Sequence, residues 1–263
     1  MPAADAKPRL HLPLRPLLLM FIPFLSLLLL YSYSYSSPPP ASVTVAVDVD
    51  VPLSPTTPSP HIRMRRAGFR SYEDYLRHQL NKTLDPRLRR VWATRDWRRK
   101  VDAFARAFAA LRDGGRGALL SNSSRALCVG ARLGQEVAAL RLVGVRDAVG
   151  IDLAPAPPLV VRGDFHAQPF ANDTFDFEFS NVFDHALYPD RFVAEIERTL
   201  RPGGVAVLHV AVHRRGDKYS ANDLLDVQGL VGLFHRSEVV RISKVDAFGL
   251  DTEVILRKKR SSP

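Results

Sequence analysis

The most regular pattern of apolar and polar residues lies near the middle of the chain, where it predicts a strand–helix–strand unit. Ala126–Val129 is a short apolar run of the kind that forms a buried strand. A turn bounded by Gly130 and Gly134 follows, and residues 135–142 carry apolar side chains at helical spacing. A second apolar run ends at Asp152. A unit of about 30 residues in this order is typical of two parallel strands joined by a crossover helix.

The pattern continues toward the carboxyl terminus and predicts an α/β domain that ends in a hairpin. Pro189 favours the start of a helix with one apolar face. A further helix is predicted from Ser220 toward Phe234. Residues 238–245 and 252–257 predict two strands whose short joint allows only an antiparallel pair, because a parallel crossover needs a dozen residues or more. Three more apolar runs predict strands at residues 160–161, 175–180 and 205–210.

Two helix starts precede this domain. Ser71 has an acidic residue three positions later, which is the pattern of a capped helix start. Asp85 followed by proline predicts a second start. Apolar residues over 88–111 then share one helical face, which predicts a single long helix packed on the sheet.

The strand–helix–strand unit also predicts a binding site. In an open parallel sheet, ligands bind at the carboxyl ends of the strands. Gly130 has no Cβ and allows a ligand to approach the backbone, while the helix that opens at Gly134 favours negative charge. Asp152 can accept hydrogen bonds from two vicinal ribose hydroxyls. We therefore expect a nucleoside with an anionic tail, with a purely structural strand–helix–strand unit as the alternative.

The residue between the two glycines bears on which nucleoside this is. A dinucleotide site requires glycine where Arg132 stands, because the pyrophosphate lies against the backbone there. The Cβ of an arginine would clash with a pyrophosphate. S-adenosylmethionine carries a carboxylate and an amino group instead, and the Arg132 side chain suits that carboxylate.

Several motifs over residues 127–210 occur in the order and spacing of a known family. They are Cys128–Gly134, Gly150–Leu153, Gly163-Asp164 with Pro169-Phe170, Phe175-Asp176 with Ser180-Asn181, and Glu197–Gly204. In these residues the chain resembles the class I S-adenosylmethionine-dependent methyltransferase family, in its small type 11 form. The resemblance implies a Rossmann-like, doubly wound, mostly parallel sheet with a carboxyl-terminal antiparallel hairpin, preceded by helices. It implies S-adenosylmethionine as cofactor, bound by Gly130, Ala131, Arg132, Gly134, Asp152, Leu153, Asp164, Phe165 and Asn181.

Roles within this set follow from the resemblance. Asp164 and Phe165 match the position that meets the adenine, and Asn181 lies where the acceptor approaches the methyl group in related enzymes. The sequence departs from the family at Cys128, where Asp or Glu is usual, and at Arg132, where glycine is usual. Glu136 is the candidate to replace the missing carboxylate. The resemblance also implies that helices before the first strand cover the cofactor, so Trp92 and Trp97 are candidates for that cover, with ordinary packing as the simpler interpretation. Neither a catalytic residue nor a metal ligand is assigned; His185 is a possible base, but a structural role is the simpler interpretation.

Length and charge refine this picture. The chain of 263 residues has 46% hydrophobic residues, which suffices for one α/β core with appendages. The net charge of +10 comes from the flanks, since residues 61–100 hold 13 Lys and Arg against 4 Asp and Glu. Nucleic acid is therefore not an expected partner, because a basic face beside the site is the usual sign. Cys128 is the single cysteine, so an intramolecular disulfide is excluded.

The amino-terminal region predicts a membrane anchor. Residues 17–35 form an uncharged stretch of 19 residues, long enough to cross a bilayer, and basic residues precede it. This predicts a single-pass membrane protein with its bulk in the lumen of the Golgi or endoplasmic reticulum. Three glycosylation sequons, starting at Asn81, Asn122 and Asn172, agree with that placement. A cleaved signal peptide and secretion, or an organellar transit peptide, are the alternatives.

The predicted organisation has five segments. They are a cytosolic tail at 1–16, a transmembrane signal anchor at 17–35, a Pro/Ser-rich stem at 36–66, amino-terminal helices at 67–116 and a methyltransferase-like domain at 117–260. The predicted function is methyl transfer from S-adenosylmethionine to an unidentified acceptor by a membrane-anchored enzyme. The alternative is a non-catalytic binding or scaffolding protein that keeps the fold.

Overall fold

A computed structural model of the chain describes residues 60–65, 69–212 and 217–260. The helices there are α1 Tyr72–Thr83, α2 Pro86–Ala93, α3 Arg95–Arg112, α4 Gln135–Leu142, α5 Pro189–Thr199 and α6 Val227–Val231, with short 3₁₀ turns at Gly115–Gly117 and Phe183–His185. The strands there are β1 Ile62–Met64, β2 Ala126–Val129, β3 Ala148–Asp152, β4 Val160–Arg162, β5 Phe175–Ser180, β6 Leu200–Val210, β7 Asn222–Leu224, β8 Ser237–Ala247 and β9 Leu250–Lys258.

Within these residues the main sheet has seven strands in the order β4-β3-β2-β5-β6-β9-β8. The first five are parallel to one another, while β9 pairs antiparallel with both β6 and β8. The predicted mostly parallel sheet with a terminal antiparallel hairpin is thus confirmed. Because β2 is central and β3 and β5 flank it, their carboxyl ends lie side by side at one edge of the sheet.

Helices cover both faces of this sheet. On one face, Phe192 and Ile196 of α5 belong to a buried cluster with Ile151 of β3. On the other, Phe108 of α3 and Leu140 of α4 are fully buried in a second cluster, which also contains Cys128. Burial raises the pKa of the Cys128 thiol, as expected for an unreactive cysteine in the core. Two covered faces make the sheet doubly wound, as expected for a Rossmann-like domain.

The two predicted caps open the amino-terminal helices. The Ser71 side chain accepts a hydrogen bond from the Asp74 amide, and the Asp85 carboxylate caps α2 from just before its proline. The single long helix expected after Asp85 is instead broken at Thr94, where α2 ends and α3 begins. The Thr94 hydroxyl donates a hydrogen bond to the Arg90 carbonyl at the break. Periodicity did not reveal this break because the apolar face continues across it.

A second difference lies at residues 222–224. This segment was expected within a helix, but it forms β7 and pairs antiparallel with β1 at Ile62–Met64. The guanidinium groups of Arg63 and Arg65 both contact the Asp223 carboxylate, at 2.6 and 2.9 Å. Strand β1 falls inside the segment that was predicted as a stem. A pairing between residues about 160 positions apart leaves no local signal in the sequence.

The structure corrects the localisation prediction. Among the residues it describes, no helix is both long and apolar enough to cross a membrane. The predicted single-pass membrane protein with a lumenal domain is therefore wrong on this finding. The tail at 1–16, the anchor at 17–35 and nearly all of the stem lie outside the described residues.

Candidate functional site

The turn after β2 adopts a backbone that glycine makes possible. Gly130 has φ +74°, and a Cβ built there would lie 2.4 Å from a methyl carbon of Val182. The amides of Gly130 and Ala131 donate to the Ile151 carbonyl at 2.9 and 3.0 Å, which ties the turn to β3. Arg132 follows with φ +51°, an unusual conformation for a residue with a side chain. The turn is thus held against the end of β3, where Asp152 stands.

Asp152 faces this turn. One carboxylate oxygen accepts a hydrogen bond from the Arg132 amide at 2.9 Å, and the other accepts from the Ala154 amide at 3.2 Å. Burial raises the pKa of Asp152, against the opposing effect of these two amides. Each carboxylate oxygen can accept more than one hydrogen bond, so both retain capacity for a hydroxyl donor. The Asp152 carboxylate therefore lies in the cavity wall, held by two backbone amides.

Five of the predicted residues surround one cavity at this edge of the sheet. They are Gly130, Arg132, Asp152, Leu153 and Phe165. The enclosed space is about 50 Å³, whereas ligand pockets usually span about 300 to 1,000 Å³. A second hollow of about 470 Å³ adjoins it and shares Lys82, Trp92 and Arg132 with it.

Arg132 and Trp92, which line both spaces, make a cation–π contact. The Arg132 guanidinium carbon lies 5.2 Å from the centre of the Trp92 ring. The Trp92 backbone is tied to α4, because its carbonyl accepts a hydrogen bond from the Gln135 side chain at 3.1 Å. Trp92 thus covers the cavity, whereas Trp97, its companion in the prediction, does not line it.

The predicted adenine-side aspartate is already engaged. Asp164 accepts hydrogen bonds from the Tyr72 hydroxyl and, at 2.9 Å, from the His166 amide. The Tyr188 amide donates to Nε2 of His166, so Nδ1 carries the hydrogen and faces the Tyr72 oxygen at 2.8 Å. The hydrogen bonds from His166 and Tyr72 lower the pKa of Asp164 despite its burial. Tyr72 of α1 thereby links the amino-terminal helices to the site.

The remaining predicted residues do not line the cavity. Ala131 and Gly134 shape the turn, and a Cβ on Gly134 would lie 2.7 Å from Leu159. The Asn181 side chain donates a hydrogen bond to Glu136 at 3.1 Å. The second oxygen of Glu136 is buried without a hydrogen-bond partner, and burial raises the pKa of this carboxyl. Glu136 therefore has an unused acceptor at the opening of α4, although it does not line the cavity.

The cavity wall also contains residues of α1 and the loop after β5. Gln79, Lys82 and Thr83 come from α1, and His185 from the loop. Nδ1 of His185 lies 3.1 Å from the Tyr219 carbonyl, so it carries the hydrogen and leaves the Nε2 lone pair for Lys82, 3.2 Å away. Burial lowers the pKa of both groups. No motif marked the α1 residues, because they reach the site only through tertiary packing.

Comparison with protein families identifies one matching region. Residues 127–208 match the model of a methyltransferase domain. This range runs from β2 to β6 and includes the turn at Gly130, Asp152 and Asn181. A search of curated proteins finds no match to the chain.

Solved structures with a similar fold include known methyltransferases. The 1,6-didemethyltoxoflavin N1-methyltransferase of Burkholderia thailandensis, solved with bound 1,6-didemethyltoxoflavin and S-adenosylhomocysteine, is 17% identical, with a TM-score of 0.56. The alignment covers 76% of this chain and 95% of that one. An S-adenosylmethionine-dependent methyltransferase of Methanosarcina mazei is 16% identical, with a TM-score of 0.44 over 54% of this chain and 96% of its own.

At these identities a structural likeness establishes the fold, which alone does not fix an activity. The fold of this chain is the Rossmann-like methyltransferase fold. Together with the domain match, it supports a class I S-adenosylmethionine-dependent methyltransferase, with S-adenosylmethionine as the cofactor.

Proposed function

We propose that the protein transfers a methyl group from S-adenosylmethionine to a small acceptor. The observation that supports this most is the position of Asp152. Its carboxylate lies at the carboxyl end of β3, in the wall of a cavity that also contains Gly130 and Phe165. A nucleoside needs these three features together: an acceptor for ribose hydroxyls, a backbone open to close approach, and an aromatic ring beside the base.

The cofactor's amino-acid tail would meet the turn and the opening of α4. Arg132 supplies a cation for the tail carboxylate, once its guanidinium leaves the Trp92 ring. Glu136 supplies a carboxylate for the ammonium group through its buried, unpartnered oxygen. A buried acceptor without a partner is costly, so an ammonium ligand there would remove a penalty. In this proposal Glu136 replaces the acidic residue that the family usually has at the position of Cys128.

The reaction demands little from side chains. When bound, the cofactor supplies an activated methyl group, whose bonding electron pair stays on sulfur as the bond to the acceptor forms. The chain must align the acceptor and exclude water, which the cover from α1 and α2 supports. An acceptor hydroxyl must also lose its proton. His185 in the cavity wall can receive it at Nε2 once Lys82, whose ammonium lies 3.2 Å from that nitrogen, turns away.

One observation favours a second candidate, a non-catalytic protein that keeps the fold. The cavity measures only about 50 Å³, and Arg132 and Trp92 contact each other in its wall. If that contact stays closed, no nucleoside of ordinary size enters. The two candidates therefore differ in whether Arg132 and Trp92 separate when the cofactor is present.

Calorimetric titration of the full chain with S-adenosylhomocysteine separates the two candidates. We expect saturable binding with 1:1 stoichiometry, together with a change in tryptophan fluorescence as Arg132 leaves Trp92. The matched control ligand is NAD, which we expect not to bind because Arg132 stands where its pyrophosphate would lie. Absence of heat and fluorescence change at saturating S-adenosylhomocysteine would favour the non-catalytic protein.

A further inference from the structure

The larger hollow beside the cofactor cavity has been given no function so far. It measures about 470 Å³ and adjoins the cavity through Lys82, Trp92 and Arg132. Its outer wall is formed by α2, through Arg87, and by the loop after β6, through Lys218 and Tyr219. A molecule in this hollow would lie directly against the cofactor cavity.

Two aromatic rings contribute to the walls of the hollow. Trp92 stands on the cavity side under the Arg132 guanidinium. Tyr219 stands on the loop side, and the ammonium groups of Lys82 and Lys218 both lie 4.9 Å from its ring centre. Aromatic walls offer a flat apolar surface to a planar ring, with a gain beyond the buried area. The hollow therefore suits an aromatic guest better than a flexible polar one.

The charges around the hollow are unbalanced. Among its lining residues there are four cations and two carboxylates, Asp85 and Asp217. Both carboxylates are engaged: Asp85 caps α2 through the Arg87 and Leu88 amides, and Asp217 accepts from Lys82 at 2.8 Å.

Arg87 and Lys218 carry the surplus positive charge. Within the part of the chain that the structure describes, no carboxylate lies within ion-pair distance of Arg87 or Lys218. Both side chains are exposed to solvent at the rim of the hollow. An anionic group on the guest would meet these two cations without displacing an existing pair.

We propose that this hollow is the acceptor subsite and that it takes a planar aromatic molecule with an anionic substituent. The guest's ring lies beside Trp92 and Tyr219, in place of the cations that now lie over these rings, and the anionic group lies toward Arg87 and Lys218. The name acceptor subsite rests on the proposed methyl transfer, whereas the preference for an aromatic anion rests on the hollow itself. The guest's far end then points through the shared wall toward Lys82 and the cofactor cavity.

A pair of probes of nearly equal shape tests this preference. The full chain is titrated with 2-naphthoate, an aromatic anion, and with 2-naphthamide, its neutral counterpart. We expect 2-naphthoate to bind about tenfold more tightly, the effect of two partly solvated charge contacts. The difference should shrink as salt is added, because these contacts are open to screening.

Variants locate the binding and exclude a general charge effect. The double variant Arg87→Gln with Lys218→Gln is expected to bind 2-naphthoate about tenfold more weakly and 2-naphthamide unchanged. Arg90→Gln is the matched control, since Arg90 is an exposed arginine on the same helix outside the hollow. Equal affinity for the two probes, no binding of either, or an equal loss in Arg90→Gln would overturn the proposal.

The same samples are titrated with S-adenosylhomocysteine. If the wild-type chain binds 2-naphthoate with the expected preference but does not bind S-adenosylhomocysteine, the proposed methyl transfer is wrong and the aromatic-anion site is supported. If it binds S-adenosylhomocysteine but shows no preference between the probes, the cofactor site stands and the subsite proposal is wrong.

Discussion

At the scale of single residues, the site depends on two positions whose surroundings favour the residue found there. Gly130 combines a positive φ with a close approach to Val182, and Asp152 combines burial with two backbone donors. Both were predicted from the sequence because their roles are local to one turn and one strand end. Lys82 and Gln79 were not, since only the packing of α1 brings them to the cavity.

The close contact at Gly130 can be tested by comparing its alanine variant with that of Gly115. Gly115 also has a positive φ, but a Cβ there would meet nothing within 4 Å. Gly115→Ala is expected to cost only backbone strain, about 1 to 2 kcal/mol of unfolding free energy. Gly130→Ala adds overpacking against Val182, about 1 to 3 kcal/mol more. Denaturant unfolding of both variants measures the difference, and equal destabilisation would refute the close contact.

The same pair bears on ligand binding. Gly115→Ala should leave the S-adenosylhomocysteine affinity unchanged, because its site lies in the 3₁₀ turn after α3. Gly130→Ala should weaken that affinity even under conditions where the variant is folded. Retained affinity in Gly130→Ala would show that the turn is structural only.

At the scale of elements, helix caps and bounds that neighbouring residues decide were predicted from the sequence. Elements that depend on residues far away in the chain were not. The caps at Ser71 and Asp85 and the bounds of α4 were predicted because each is decided within a few residues. Strand β7 was predicted as helix because its strand character comes from pairing with β1. The break at Thr94 left the apolar periodicity intact and so gave no signal.

The terminal hairpin contains an element whose stability depends on pH. A hydrogen bond from His209 on β6, together with one from Arg241 on β8, lowers the pKa of Glu253 from 4.5 to about 2. A carboxyl whose pKa is lower in the folded state stabilises the fold above its unfolded pKa. That contribution is lost as the pH falls from about 4.5 through about 2.

Glu253→Gln should therefore destabilise the protein at neutral pH, by on the order of 2 kcal/mol. The difference from the wild-type chain should disappear as the pH approaches 2, where the wild-type carboxyl is protonated. Glu238→Gln on the adjacent strand is the control, since Glu238 is exposed. Denaturant unfolding across this pH range gives the measurement, and a destabilisation that stays constant with pH would contradict this assignment.

At the scale of the whole molecule, segments far apart in the chain assemble the site. The turn and Asp152 come from the region that matches a methyltransferase domain, whereas α1 and α2 form the cover. Strand β1 and the Arg63 and Arg65 contacts to Asp223 fasten the segment before these helices. The family resemblance predicted the sheet and its site edge, whereas the region that matches the domain, residues 127–208, does not include α1 and α2.

The measurement that tests the central claim most directly is the S-adenosylhomocysteine affinity of Asp152→Asn. The matched control is Asp147→Asn, because Asp147 is an exposed aspartate just before the other end of β3. Loss of the ribose hydrogen bonds to a charged acceptor predicts an affinity about 100-fold lower in Asp152→Asn, with Asp147→Asn unchanged. If Asp152→Asn is folded, as judged by its thermal unfolding, and binds S-adenosylhomocysteine as tightly as the wild-type chain, the site proposed at the end of β3 is wrong.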